Sequence, residues 1–304
     1  MVERIVRRHL LSQPEIRSSG LVLARNTEDR KGAIGEATRI FVVIPTVGRP
    51  TQLGEALSSV YNQTFRPHLT IVVGEGKEDF DHLPKTGLSA VNSSATLYSL
   101  NRRTANLSGA VNTGIMLILD REPPTEASYV AILDDDDWWE PTYLERCLSV
   151  AREGNLDWIV AGIRRHESEA GQGLKLSIPC VLSASAFLRS NPHVQGSNLF
   201  LRLSTLLEAG CFDENLQSTT DRDLGVRLAN LGNVRVGFVS EHLVHHRAYA
   251  RDRLSTPASP RKREGLVAFY QKYSPIMSSE DRAKFLERAT TVFGCPTSDF
   301  GEGN

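Results

Sequence analysis

The sequence predicts a doubly wound α/β sheet, and three runs of residues carry that prediction. Ile40–Ile44 (Ile-Phe-Val-Val-Ile) and Leu69–Val73 are continuous apolar stretches rich in β-branched residues. That is the pattern of strands buried on both faces of a parallel sheet. Tyr129–Leu133 is a third such run, and it leads straight into Asp134-Asp135-Asp136-Asp137. Segments with helical spacing separate the three. Ligands of such sheets sit beyond the carboxyl ends of the strands. The turns at Thr46–Pro50, Gly74–Gly76 and Asp134–Asp137 are therefore expected along one edge.

In chain order, residues 1–38 form an extension and linker. Met1–Leu11 sets Ile5, Val6, His9 and Leu10 among Arg4, Arg7 and Arg8, a short amphipathic helix suited to an anionic membrane, a partner or the protein's own surface. Asn26–Glu36 is polar and reads as linker. Pro45 ends the first strand, and Leu53, Ala56, Leu57, Val60 and Tyr61 then follow helical spacing. Gly74-Glu75-Gly76 closes the second strand; as a dinucleotide fingerprint it is weak, because the third glycine is replaced by Asp79. Ser108–Leu119 is a second amphipathic helix stopped by Pro123-Pro124, and Pro141 opens another.

Further on, Ile163–Leu176 is polar and Gly-rich and reads as a loop over the site. Gln195–Asn198, whose amides and hydroxyls suit a hydroxyl-rich ligand, precedes a strand at Leu199–Leu203. A helix at Asp223–Leu231 and a strand at Val234–Val239 follow. Arg261–Phe293 reads as two helices that pack on the main domain or on a second subunit, which makes them a candidate homodimer surface. Gly301–Asn304 is expected to be disordered.

The acidic run carries the chemistry. Two unit charges about 4 Å apart repel by about 1 kcal/mol in water and about 4 kcal/mol at an effective dielectric near 20. Four carboxylates at a strand end therefore call for a cation. Mg²⁺ takes one or two protein carboxylates and completes its shell with water and substrate phosphates. The competing reading is a solvated acidic turn in which Asp136 or Asp137 caps the following helix. Trp138, Trp139 and Trp158 are candidates for stacking on a sugar, with core packing the more usual role for Trp158.

Composition narrows the function. The chain has 304 residues, 40% of them apolar, and a net charge of -1. It can bury a sizeable core and has no basic footprint for nucleic acid. The four cysteines are dispersed without a CxxC pair, which fits reduced thiols in the cytoplasm rather than a zinc cluster. The longest apolar runs, Ile115–Leu119 and Trp158–Ile163, fall far short of the ~18 residues of a membrane span.

Several segments in order resemble a family 2 glycosyltransferase. They are Phe-Val-Val-Ile-Pro-Thr-Val-Gly-Arg-Pro at 41–50, Ala110-Val111-Asn112-Thr113-Gly114, Leu133–Pro141, Ala209–Glu214 and Thr220–Leu224 with Arg227-Leu228. The resemblance covers about 40–246. It implies a GT-A fold, Rossmann-like and doubly wound with a mixed sheet, spanning 39–250. The nucleotide half would be 39–137 and the acceptor half 138–250, followed by a loop and a helical extension over 251–304.

The same resemblance implies transfer from a UDP-, GDP- or dTDP-sugar to an acceptor hydroxyl or other nucleophile, with inversion and with Mg²⁺ or Mn²⁺; the alternatives are a retaining transferase or nucleotidyltransferase on the same fold, or a non-catalytic nucleotide-, sugar- or divalent-ion-binding protein. Pro45, Thr46, Arg49, Glu75, Asn112, Asp134 and Asp135 would serve the nucleotide-sugar, with Glu75 standing where the family usually has Asp. Asp136 would hold the metal, with His245 or His246 completing its shell. Asp221 would be the general base, its competing role being a helix N-cap. Arg247, Arg251 and Arg253 would close over the diphosphate or form a solvated basic stretch.

Overall fold

The computed structural model describes residues 37–80, 95–249 and 259–301. The amphipathic reading of Met1–Leu11, the linker, Arg251, Arg253 and residues 302–304 lie outside the described residues.

Strand β1 (Arg39–Thr46) leads to α1 (Pro50–Tyr61), β2 (Leu69–Gly74) and β3 (Ala95–Leu100). Then come α2 (Leu107–Leu119), β4 (Ser128–Ile132) and the short β5 (Trp138–Trp139). The second half holds α3 (Tyr143–Glu153), β6 (Trp158–His166), β7 (Leu174–Lys175), α4 (Ala184–Arg189), β8 (Leu199–Arg202) and α5 (Leu203–Glu208). It closes with α6 (Thr220–Asn230), β9 (Val236–Arg247), α7 (Pro260–Tyr273) and α8 (Ser279–Phe293).

The strands form one mixed sheet in the order β3-β2-β1-β4-β8-β6-β9-β5, with β7 pairing outside β6. β3, β2, β1 and β4 run parallel, β8 is antiparallel between β4 and β6, and β6 and β9 are parallel to each other. Because β8 runs backwards, its start meets the edge at which β1, β2, β4, β6 and β9 end.

The two faces of β1 explain the double winding. Successive side chains on a strand point to opposite sides, so Phe41 and Val43 join one buried cluster with Val111, Ile115 and Ile118 of α2. Ile40, Val42 and Ile44 join the other, with Leu53, Ala56, Leu57 and Val60 of α1 and Leu144 and Leu148 of α3. Pro45 does not end β1. Val43 turns its carbonyl toward β4, accepting from the Leu133 N–H at 3.1 Å. Pro45, two residues on, faces the same side past the last β1–β4 pair, so its missing N–H costs no ladder bond.

Four other expectations are corrected. Ile163–Leu176 is no simple loop: β6 runs to His166 and turns back through β7, with Arg164 opposite Lys175. Arg164 and Arg165 are half-buried there, and His166 is buried against Trp138 and His245. The strand expected at Val234–Val239 continues as β9 to Arg247, because β6 pairs with it throughout. β8 ends at Arg202, and Leu203 already opens α5. The helix expected at Asp223–Leu231 begins earlier, at Thr220.

The C-terminal helices pack on the sheet domain. Leu266, Phe269, Tyr270 and Phe285 belong to the same core cluster as Val43. Arg222 of α6 is buried between them, its guanidinium carbon 4.5 Å from the Phe269 ring and 5.2 Å from that of Phe285. It donates to the carbonyls of Phe187 and Leu188, each at 2.8 Å. Burial, reinforced by Arg288, pushes its pKa down to about 9.

Asp157 ties β6, β8 and the start of β9 together at the opposite edge. It accepts from Arg202 Nε at 2.8 Å and from Arg235 Nε at 3.1 Å, with Asp157 1% and Arg202 2% exposed. Burial opposes its charge, but the two arginines outweigh burial and hold its pKa below the usual carboxylate range. Asp157→Ala leaves the buried Arg202 guanidinium with only Glu126, at 3.8 Å, as counter-charge and is expected to cost about 3 kcal/mol in urea unfolding. A depressed carboxyl stabilises the fold above its unfolded pKa and loses that effect as pH falls through the folded value. The wild-type advantage over Asp157→Ala should therefore vanish in strong acid.

Candidate active site

The acidic turn sits at the sheet edge with each carboxylate in a different environment. Asp135, Asp136 and Asp137 are 4%, 8% and 1% exposed. Asp135 accepts from Thr46 Oγ1 at 2.7 Å, the Val47 N–H at 3.2 Å and Arg49 Nη1 at 2.9 Å. Arg49 also lies 2.7 Å from Asp136 Oδ2. Asp137 accepts from Ser197 Oγ at 2.6 Å and the Arg247 N–H at 3.0 Å, with His246 Nδ1 at 3.2 Å. Asp134 Oδ1 is buried without a hydrogen-bond partner.

Electrostatics follow from those partners. Burial and then the charges of Asp137, Asp136 and Asp221 push the Asp134 carboxyl well above its ordinary range. Burial and Asp137 push Asp136 up to about 6 despite Arg49. Burial works against Asp137 too, yet His246, Ser197 and the Arg247 N–H hold it below the ordinary range. Neither Asp136 nor Asp137 caps α3, whose N-cap is Thr142.

The segment after β7 reaches the same spot through Gly196. The Gly196 backbone N–H helps to hold down the Asp221 carboxyl, and a Cβ on Gly196 would lie 3.0 Å from Asp134 Oδ1. Asp221 and Asp134 thus flank one glycine at the start of β8. Asp221 is in the first turn of α6 and is not its N-cap, which is Thr219 in the left-handed conformation at φ 65°. Burial raises the Asp221 carboxyl to about 6, moderated by Lys262, the Gly196 N–H and His246.

Not every expected residue joins this centre. Pro45 lies within β1 just before Thr46. Glu75 is exposed at the end of β2, accepting from Asn101 Nδ2 at 2.8 Å. Asn112 is buried away from the turn: its amide donates to the Phe212 carbonyl at 2.8 Å and to Glu214 at 2.7 Å, and its oxygen accepts from the Phe212 N–H at 3.0 Å. His245 engages Glu140 through Nε2 and His166 through Nδ1, each at 2.9 Å. Both nitrogens are used there, so it belongs to a separate cluster.

The stacking and ligand-facing expectations shift as well. Trp138 stacks on His245 at 4.8 Å with Arg247 5.0 Å from its ring, and Trp158 is core, stacked on Phe187. Ser197 and Asn198 are fully buried and hold the acidic turn and the β8 entry instead of facing a ligand. Arg247 is committed to Glu55.

Asp79 is a residue that the sequence patterns did not single out. Its carboxylate accepts from the Gly48 N–H at 2.6 Å, the Glu75 N–H at 2.8 Å and the Gly76 N–H at 3.0 Å, stitching the β1–α1 loop to the end of β2. Its signal is an acidic residue three positions past a Gly-x-Gly turn, where it can cap the freed amides.

Among the described residues, no group of three or more His, Cys, Asp and Glu side chains is arranged to cage a metal ion. The turn does fit a shared site. An orphaned Asp134 oxygen and a proton-hungry Asp136 stand at one edge, and Mg²⁺ or Mn²⁺ needs only one or two such carboxylates when phosphates complete its shell.

A mixed sheet with an acidic turn at its parallel edge and helices on both faces defines a GT-A architecture. The chain belongs to glycosyl transferase family 2, whose model matches residues 41–207. A fragment of S. aureus TarS (1-349), solved in complex with UDP-GlcNAc, superposes with a TM-score of 0.60 at 16% identity, covering 84% of this chain and 73% of that one. The mannosyltransferase PcManGT from Pyrobaculum calidifontis, in complex with GDP-Man and Mn²⁺, gives 0.57 at 14% identity, covering 95% and 82%. An uncharacterized glycosyltransferase of Rickettsia conorii is 25% identical over 200 residues, which are 63% of this chain and 31% of the relative. The chain therefore matches about a third of that protein's length.

Raised carboxyls make the folded state bind protons more tightly than the unfolded chain, so their contribution is present in acid and is lost as pH rises through about 6. In EDTA, Asp136→Asn should therefore gain Tm relative to wild type between pH 5 and pH 7. Thermal melts across that range check the sign.

Proposed function

We propose that this chain transfers a sugar from a nucleotide-diphosphate donor to an acceptor hydroxyl, with inversion and with a divalent cation. The observation that carries this reading is the meeting of the Asp134–Asp137 turn with Asp221 around Gly196, at the edge where β1, β4 and β9 end. The turn ends the nucleotide half and Asp221 comes from the acceptor half.

In this reading Asp136 holds Mg²⁺ or Mn²⁺, with Asp134 and His246 beside it. The ion supplies charge neutralisation to the departing nucleotide diphosphate. Arg49 and Thr46 fix the turn from the β1–α1 loop, and Glu75 accepts a hydrogen bond from the base. The acceptor oxygen attacks the anomeric carbon as the bond from that carbon to the diphosphate breaks. Asp221 takes the hydroxyl proton. A carboxyl with a pKa of about 6 is ionised at neutral pH yet basic enough to serve. The UDP-GlcNAc and GDP-Man complexes of the two structural neighbours make UDP- and GDP-sugars the first donors to try, ahead of dTDP-sugars.

A donor panel of UDP-, GDP-, dTDP- and CDP-sugars, run with Mn²⁺ or EDTA, tests the proposal by thermal shift and nucleotide release. One nucleotide class should stabilise the protein with Mn²⁺ only. Asp136→Ala should abolish that stabilisation; if the variant is stabilised as much as wild type, the metal assignment fails. Asp221→Asn should bind donor normally and lose about 10²–10⁴-fold in turnover, the range for a general base. Full turnover by that variant would remove the base assignment.

A further inference from the structure

Immediately before Asp221 the chain is strained, and a helix from the C-terminal extension holds it there. Thr219 adopts φ 65°, a left-handed conformation that strains a β-branched residue and persists only when its surroundings enforce it. Those surroundings are α7. The Thr219 hydroxyl, shared with the Ser218 carbonyl, reaches the Gly265 carbonyl at 3.2 Å, and Ser218 Oγ donates to the Lys262 carbonyl at 3.4 Å. A Cβ on Gly265 would lie 2.6 Å from the Ser218 nitrogen and 2.1 Å from its Oγ, so only glycine allows so close an approach.

The same turn of α7 aims Lys262 inward. Lys262 is 8% exposed, with its ammonium 4.5 Å from the Phe293 ring. A lysine so buried is opposed by desolvation and by Arg222, which bring its pKa down to about 7, while Asp221 pulls it back up. Asp221 feels Lys262 from α7, His246 from β9, Asp134 and Asp137 from the acidic turn, and the Gly196 N–H from the start of β8. Lys262 is the strongest attractive charge among them.

We propose that α7 is a working part of the transfer centre, with Lys262 and Gly265 as positioning residues that fix the strained Ser218–Thr219 turn and set where and in what charge state Asp221 meets the acceptor. This deepens the proposed function and rests on the reading of Asp221 as base. Neither residue touches the reacting atoms. They act through Asp221.

The test uses the full chain with ¹³C-labelled aspartate carboxyls, the Asp221 signal being the one lost in Asp221→Asn. Lys262→Met keeps the volume and removes a buried cation. It is expected to raise the Asp221 titration midpoint by about one pH unit, the low end for loss of a nearby opposite charge. With UDP-GlcNAc and with GDP-mannose as probes in Mn²⁺, it should lower kcat for donor hydrolysis about twofold at pH 7 and nearly tenfold at pH 5, leave nucleotide Kd unchanged and move the acid limb of the profile upward. A merely structural lysine would not move that limb.

Thr219→Gly relieves the strain and removes the anchor. It should fold at least as stably as wild type and lose kcat without losing nucleotide affinity. An unchanged Asp221 midpoint in Lys262→Met, or an unchanged kcat in Thr219→Gly, overturns the proposal. If Asp221→Asn retains full turnover, the base reading itself fails, and the carboxyl titration still decides whether α7 governs Asp221.

Discussion

Mutual repulsion of the carboxylates at 134–137 is the constraint around which this molecule is arranged. Four adjacent aspartates buried at a strand end without partners would repel one another and resist ionisation. The structure disperses them. Asp135 faces the β1–α1 loop and is neutralised by Arg49. Asp137 faces the β8 entry and the end of β9, with Ser197, His246 and the Arg247 amide around it. Burial still raises Asp135, but Asp134 and Asp136 carry the larger strain: Asp134 goes well above its ordinary range and Asp136 to about 6 despite Arg49. Two satisfied carboxylates thus hold two strained ones in place, and the strained pair is where a cation is of most use.

The order of strands is what makes this arrangement available. Had β8 run parallel to its neighbours, the Gln195–Asn198 turn would lie at the far edge of the sheet. Reversed, it delivers Ser197 to the acidic turn and the Gly196 amide to Asp221. One antiparallel strand thereby joins the halves of the site.

Much of this was legible in the sequence where a single physical signal dominates. β1, β2 and β4 are continuous apolar runs because both of their faces are covered. α1 and α2 keep helical spacing, and the acidic run can hardly be overlooked. Legibility failed where the signal depends on a distant partner. β3 is a half-exposed edge strand with little patterning, and the outer part of β6 is polar although its backbone is paired. The histidines at 242, 245 and 246 sit within β9 because β6 continues beside them, which nothing local to β9 encodes. Asn112 carries a family motif, yet its side chain is spent on the backbone at Phe212. Thr219 has no residue-level mark of a left-handed backbone, since the helix that enforces it lies more than forty residues on.

Arg222 gives the C-terminal helices a standing that their place at the end of the chain hides. Its guanidinium is roofed by Phe269 and Phe285, and among the described residues no carboxylate balances it. A shortened version ending before α7 would open that roof, uncover the apolar face that α4 and α6 turn toward it, and flood with water a cation now wrapped in rings and carbonyls. The last two helices are therefore no detachable rider on a self-sufficient catalytic unit, and a relative built without them must supply some other lid at this position.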